Sequence, residues 1–534
     1  MQVTGLSGIP IRDFSFEQYV QKRKPRAKQQ EAFDHGAAEM RLFALEMEQR
    51  TGKTKVMIDA AGYWFETGRT DAMLVIAAPS GVPLDWAKDH LPTELPDSIP
   101  RQILVWQARR ARLKSFERDA QALLTFLGMA ILCVNAEALD TVLFRKYIAR
   151  FLDARRTFAI ADEQTLIMLT PGTKQTKIAH AISRHPNVMA KRIADGTPVG
   201  SHGPLDLYAA WKFLDPAILG HDNFTSFKHH YAEWEQHYLP SQDRYFPAIK
   251  ENADGSKRYC HIDELQRRKA PYSYRCTFKE AFPHVTAPTH TARRFELSDE
   301  QRRVYDDLRD QYQAEMHDGR IMIAAQVLVR YTRLQQIASN YLPGQEVAEP
   351  CLDCEGQVCQ RCDGLGYVLR ISEGTVVDPK HDPRLDLLQS ILRPGDPTVV
   401  WAKFTKDVDK VMALATTLNL TPVRYDGTVS SDDKEANKFA FQEGRAGLIV
   451  GNTRAGGRGI KLSRGTTMVY YSNQFGLLPR LQSESRTEDA EKTVGTNIID
   501  LIADDTIDEV ILSAFRQQLS VAALIQKDPT RIWI

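Results

Sequence analysis

The sequence predicts an α/β chain of two parallel-sheet lobes with helical insertions and a small cysteine-rich protrusion, and three observations carry that expectation. A short apolar run, Arg41-Leu42-Phe43-Ala44-Leu45, leads through a turn ending Gly52-Lys53-Thr54 into the helical composition of Lys55–Ala61. Another apolar run, Thr157–Ala161, ends on two adjacent carboxylates, Asp162 and Glu163. A second alternation of strands and helices starts near Pro383 and contains the glycine-rich stretch Gly451–Gly459. Short, continuously apolar strands separated by helices are the pattern of a parallel sheet covered on both faces.

The 534 residues, 43% of them apolar, suffice for several cores, about three at roughly 150 residues per domain. No run of about 18 apolar residues occurs, and Met1 does not open a charged-then-apolar leader, so neither a membrane span nor export is expected and the expected location is the cytoplasm. A formal charge of +1 neither demands nor excludes a nucleic-acid partner, because binding depends on local basic patches. Of seven cysteines, four are bunched at Cys351, Cys354, Cys359 and Cys362, which fits a reducing compartment and a metal site better than a disulfide framework.

Taken in order, Met1–Pro25 looks like an adaptor whose basic run, Gln21–Arg26, is either a solvated turn or a phosphate-contacting edge. Lys28–Ala38 has a helical pattern, with Gln29 shortly before the Gly-Lys-Thr turn. A strand, that turn and a helix form a nest of backbone N–H groups suited to a polyphosphate. Lys53 would reach the β- and γ-phosphates and the Thr54 hydroxyl would sit on Mg²⁺. The strict pattern needs glycine where Met47 stands, so the triplet alone equally describes an ordinary helix-starting turn. Met73–Ala78 reads as a buried strand ended by Pro79-Ser80-Gly81, followed by a helix over Val82–His90 and a strand over Ile103–Trp106. The cations Arg109, Arg110, Arg112, Lys114 and Arg118 then form either a solvated helix face or a backbone-tracking patch. Met129–Val134 is a further strand, closed by Asn135-Ala136-Glu137. At the end of the next one, Asp162 can hold Mg²⁺ and Glu163 can polarise an attacking water.

Val188–Ala194 ends in the turn Asp195-Gly196-Thr197-Pro198, and a helix over Leu205–Leu214 completes a first lobe at residues 1–215. Residues 216–345 read as helical insertion and connector. Two Cys-x-x-Cys knuckles within residues 346–370 place four thiolates within reach of one tetrahedral Zn²⁺, a structural site rather than a catalytic one. The second lobe, residues 371–534, carries strands over Thr398–Trp401, Pro422–Tyr425, Ala446–Val450 and Thr467–Tyr471 and helices over Lys406–Leu418 and Asp433–Glu443. It closes with a strand and a helix within Asn497–Val521, and its Arg486 could reach a γ-phosphate from across a cleft.

This ordered series resembles the superfamily 2 helicases, and among them the Swi/Snf-type ATPases in the short form of bacteriophages and mobile elements. The resemblance runs from about Lys28 to Ala514. It rests on Gln29, Met47–Thr54, Ala78-Pro79-Ser80 with Trp86, Asn135-x-Glu137, Asp162-Glu163, Gly196-Thr197-Pro198, Thr453–Gly459 and Gln482–Arg486, with Asp263–Tyr274 and Leu297–Tyr305 as connector. It implies two RecA-like lobes closing on ATP with DNA lying across both. Gln29, Arg50, Thr51, Gly52, Lys53, Thr54, Gly457 and Gly459 would contact the nucleotide, Gln29 near the adenine. Lys53, Asp162, Glu163 and Arg486 would carry catalysis, and Pro79, Ser80, Asn135, Thr453 and Arg454 would contact DNA. Three departures stand out: Arg50 where the family has glycine, Gln164-Thr165 after the acidic pair, and Asp489 where the last motif has its second arginine.

The resemblance implies an ATP-dependent DNA translocase or helicase acting on duplex or branched DNA in phage-type replication, recombination or fork remodelling, in the host cytoplasm if a phage encodes it. Its cofactors would be ATP, Mg²⁺ and Zn²⁺, and its partners DNA and replication or recombination proteins, without a membrane. Two alternatives are a hydrolysis-deficient clamp, suggested by Asp489, and an RNA helicase.

Overall fold

The computed structural model describes residues 18–78, 82–196, 203–239, 244–253, 256–317, 324–342, 346–350, 367–371, 376–453 and 460–526. The first lobe is built on seven parallel strands: β1 (Leu42–Met47), β2 (Ala72–Ala77), β3 (Arg101–Val105), β4 (Met129–Asn135), β5 (Thr157–Asp162), β6 (Val188–Ala194) and β9 (Ser273–Cys276), in the order β3-β4-β2-β5-β6-β1-β9. Successive side chains along a strand point to opposite faces. Leu74, Ile76, Leu132, Val134, Ala159 and Ala161 accordingly join one core, while Met73, Val75, Ile131, Cys133, Phe158 and Ile160 join the other. Because both faces are covered, every residue of β2 and β5 is buried, which explains their unbroken apolar runs.

The second lobe has six parallel strands: β10 (Thr289–Phe295), β13 (Thr398–Trp401), β14 (Pro422–Tyr425), β15 (Leu448–Gly451), β16 (Thr467–Tyr470) and β17 (Asn497–Ala503), in the order β10-β17-β16-β13-β15-β14. Val400, Val450 and Val469 face one core, Val399, Ile449 and Met468 the other. A further cluster packs Tyr305, Ile337, Ile511 and Phe515 together, joining the helices Asp299–His317, Ala324–Ala338 and Ile507–Gln526.

Residues 216–345, expected to be helical, contain four strands. Two form an antiparallel hairpin, β7 (Trp234–Leu239) and β8 (Arg244–Ile249). The other two are the edge strands of the two lobes: β9 pairs with β1, and β10 pairs with β17. Both strands of the hairpin are largely exposed and β10 is exposed almost throughout, so none carries the apolar signal of a core strand. Their strand character comes from backbone pairing with residues distant in sequence. The chain therefore passes from one sheet to the other through residues 277–288, sewn in at each end. A final antiparallel pair, β11 (Glu346–Pro350) with β12 (Tyr367–Ile371), flanks residues 351–366. The four cysteines expected to bind zinc lie outside the described residues.

The expected helix over Lys28–Ala38 is an α-helix, Ala27–Ala32, continued by a widened turn, Phe33–Ala37, in which Gly36 has φ 152°. Its freed carbonyls are met by the wholly buried Arg192 of β6. The Arg192 guanidinium donates to Ala37 O at 2.7 and 3.1 Å and to Met40 O at 2.6 Å, and lies over the Phe158 ring. Five N–H donors in a fixed fork satisfy several carbonyls at once, so one side chain fixes the approach to β1.

Candidate nucleotide site between the lobes

The row of residues at the carboxyl edge of the first sheet is set by strand register. Leu45 lies opposite Ala194, Ala194 opposite Asp162, Asp162 opposite Ala77, and Ala77 opposite Asn135. Ligands of open parallel sheets bind at this edge, and the loop after β1 closes over it. Arg50 (φ 62°) and Gly52 (φ 93°) turn left-handed there, and the helix Lys53–Glu66 follows at once. Space favours glycine at position 52 as well, because a Cβ would lie 1.7 Å from Gln29 Nε2 and that side chain would have to move. Gln29 sits behind the loop: its Nε2 donates to Thr51 O and Gly52 O at 3.3 and 3.4 Å, and its Oε1 accepts from Arg26 N at 2.9 Å. Thr51 is buried with its hydroxyl on Glu48 O at 2.7 Å. These two residues shape the loop rather than line the cleft.

A cleft of about 420 Å³ opens in front of it, lined among others by Arg50, Gly52, Lys53, Thr54, Asp162 and Glu163 from the first lobe and Lys461, Gln482 and Arg486 from the second. Lys53 Nζ is paired with Glu163 Oε1 at 3.1 Å. Burial opposes the Lys53 charge, but Glu163, Asp162 and Asp195 outweigh it and hold its pKa above the usual lysine value. Asp162 is pushed up by burial and by Glu163, with Lys53 and the Trp86 indole opposing. Trp86 Nε1 donates to Asp162 Oδ2 at 2.9 Å, while Oδ1 is buried with no hydrogen-bond partner among the described residues. A buried, half-satisfied carboxylate facing a cleft with a threonine hydroxyl, Thr54, is a donor set that fits Mg²⁺. Glu163 itself is held left-handed at φ 54°, and Asp195 fastens the turn beyond it by accepting from Thr165 N at 2.8 Å.

From the second lobe, Arg486 reaches the same cleft. Burial and the neighbouring Arg50 charge push its guanidinium down to about 10, against the pull of Glu163. Arg50 spans the seam, donating from Nη1 to Glu488 O at 2.7 Å and from Nη2 to Ile460 O at 3.0 Å. Beside it Lys461 Nζ is paired with Asp489 Oδ2 at 2.6 Å, and Ser485 Oγ donates to Gln49 Oε1. The helix Leu477–Glu484 that leads to Arg486 is anchored by the buried Arg480, whose guanidinium forks onto both Asp500 oxygens. Beneath the loop, Lys55 lies 2.9 Å from Asp59 Oδ2 and 3.4 Å from Glu94 Oε2, and Glu94 also holds Arg23.

Of the expected site residues, Arg50, Gly52, Lys53, Thr54, Asp162, Glu163 and Arg486 therefore meet around one cleft. Asn135 lies on the same edge row two strands from Asp162, and Thr453 is buried just beyond β15. Pro79, Ser80, Arg454, Gly457 and Gly459 lie outside the described residues. The five cations Arg109–Arg118 are all exposed. Sequence reasoning gave Trp86 only as a motif position and gave no role to Asp195, Lys461 or Arg480. Asp195, in the turn after β6, was the one with a visible signal.

Residues 383–490 match the model of the helicase conserved C-terminal domain. The chain is 26% identical over 141 residues to the ATP-dependent helicase fft3 of Schizosaccharomyces pombe, covering 26% of this chain and 15% of that protein. It is 24% identical over 165 residues to the human lymphoid-specific helicase, covering 30% and 20%. The matches thus span a fifth or less of these relatives' length. A SWI2/SNF2 ATPase core from Sulfolobus solfataricus, solved with dsDNA, covers 96% of this chain and 95% of that one at 18% identity and a TM-score of 0.38. The two-lobe fold rests on the sheets themselves.

Proposed function

We propose that this chain is a superfamily 2 helicase of the Swi/Snf type that couples ATP hydrolysis to movement along duplex or branched DNA, a reading supported by its similarity to such helicases. The carrying observation is the convergence, on one cleft, of Lys53, Thr54, Asp162 and Glu163 from one lobe with Arg486 from the other. Two guanidinium groups and the Lys53 ammonium facing a shared cleft call for a polyanion, and a nucleotide triphosphate supplies one. Thr54 and Asp162 would hold Mg²⁺, which would supply neutralisation of phosphate charge. Glu163 Oε1 pairs with Lys53 Nζ at 3.1 Å. Phosphates drawing Lys53 away would free Glu163 to orient and polarise the attacking water, while Arg486 meets the charge developing on the transferred group. Because acid and arginine sit on different lobes, turnover requires closure, and alternating closure and release would advance a strand gripped by both.

The exposed cations Arg109–Arg118, together with Asn135 on the edge row and Thr453 in the second lobe, support DNA as the polymer. Fork, replication or recombination work in a phage setting is the biological context that the resemblance of the motifs implies. The test is ATPase activity with single-stranded, duplex and forked DNA and with RNA. Duplex or forked DNA should stimulate it several-fold, Lys53→Ala should abolish turnover, and no stimulation by any DNA would refute the motor. The clamp reading would gain if nucleotide bound tightly, hydrolysis were negligible and Glu163→Gln changed nothing. Preferential stimulation by RNA would favour the RNA helicase.

The spacing of Cys351, Cys354, Cys359 and Cys362 supports one structural Zn²⁺. Metal analysis should give one zinc per chain. A Cys351→Ser/Cys362→Ser protein that keeps its zinc or its stability would remove it.

A further inference from the structure

Two departures from the family pattern, Arg50 for glycine and Asp489 for arginine, lie in opposite lobes and meet at the seam. Arg50 donates to the backbone oxygens of Ile460 and Glu488, which immediately precede Lys461 and Asp489, the two members of an ion pair. Each side chain bears on the other's charge. Burial lowers the Arg50 pKa, and Glu488 and Asp489 oppose that. Burial would raise Asp489, but Lys461, the Glu491 amide and Arg50 together hold it below the usual carboxylate range. Arg50 also stands close enough to Arg486 to depress it, and both line the cleft that holds Lys53 and Glu163. Its Nε is buried with no hydrogen-bond partner among the described residues.

Resting on the ATPase reading, we propose that the positive charge missing from the second lobe at position 489 has been moved to the first. Arg50 supplies it to the phosphates from within the loop, and Asp489 with Lys461 holds it in place. An arginine at 489 would set a second cation beside Arg50, and Asp489 without Arg50 would leave the seam one cation short. The two changes make sense as a pair.

The left-handed backbone at position 50 suits glycine better than arginine, so Arg50→Gly carries no folding strain. The experiment compares the parent with Arg50→Gly, Asp489→Arg and the double variant, reading kcat and KM for ATP and the affinities for ADP and for ADP–aluminium fluoride. Arg50→Gly should lower kcat about 100-fold or more, the scale of a lost transition-state cation, with KM and ADP affinity within about threefold. Its preference for ADP–aluminium fluoride over ADP should fall in parallel. Asp489→Arg should also lose turnover, and the double variant should return to within about tenfold of the parent. A merely structural Arg50 would weaken ADP and its fluoride complex alike. The proposal is overturned if Arg50→Gly keeps kcat and analogue preference, or if the double variant is no better than Arg50→Gly. A parent without DNA-stimulated turnover would sink the motor reading instead, and the analogue-binding comparison would still decide the role of Arg50.

Discussion

Asp59 illustrates how a residue under the phosphate loop can report on its own environment. Burial pushes its carboxyl up to about 7 despite the adjacent Lys55 ammonium, and Glu94 adds to the push. In the folded chain Asp59 therefore keeps a proton that the unfolded chain releases at a pH near 4. Between those values the folded state binds more protons, so its stability falls as pH rises and the loss is complete above about 7. Asp59→Asn mimics the protonated form and should escape this loss. Denaturation midpoints of parent and variant measured from pH 4 to 8 should diverge in the variant's favour, by roughly 2 kcal/mol or more at the upper end. Parallel pH profiles would show that the carboxyl is ionised throughout. Nothing in the sequence marks Asp59, because its shift arises from burial in the folded chain, to which Glu94, distant along the chain, adds. Lys53, Asp162 and Glu163 were legible because their chemistry is tied to strand ends and a turn, features that the local sequence dictates.

Elements were legible in proportion to their burial. β2 and β5 announce themselves as unbroken apolar runs because both sheet faces are covered, whereas β9 and β10 are edge strands whose partners lie far away in the chain. The exposed strand β10 reads Thr-His-Thr-Ala-Arg-Arg-Phe, and only its ladder with β17 makes it a strand. Arg192 shows the opposite case, a cation within a strand that looks like a solvated residue in the sequence. Its fork closes the carbonyls of Ala37 and Met40 at the entry to β1. Arg192→Met should fill much of the volume yet leave those carbonyls buried and unsatisfied, destabilising the first lobe by about 3 kcal/mol. Hydrogen exchange at Arg41–Leu45 should accelerate with it. Unchanged protection there would mean that the approach to β1 is held by packing alone.

At the scale of the whole molecule, the site exists only where the lobes meet, and the polar contacts across that seam include Arg50 with two carbonyls and Ser485 with Gln49. The passage through residues 277–288 keeps the lobes facing each other whether the seam is open or shut, since both of its ends are stitched into sheet edges and it is too short to let the lobes drift apart. It keeps each lobe at an effective concentration on the order of millimolar before the other. Cleaving the chain within 283–288 while leaving β9 and β10 intact should give halves that fold but lose turnover at micromolar concentration, and activity should return as the concentration of either half is raised. A joint held by covalent proximity rather than by affinity can open fully in every cycle without the halves ever being lost to each other.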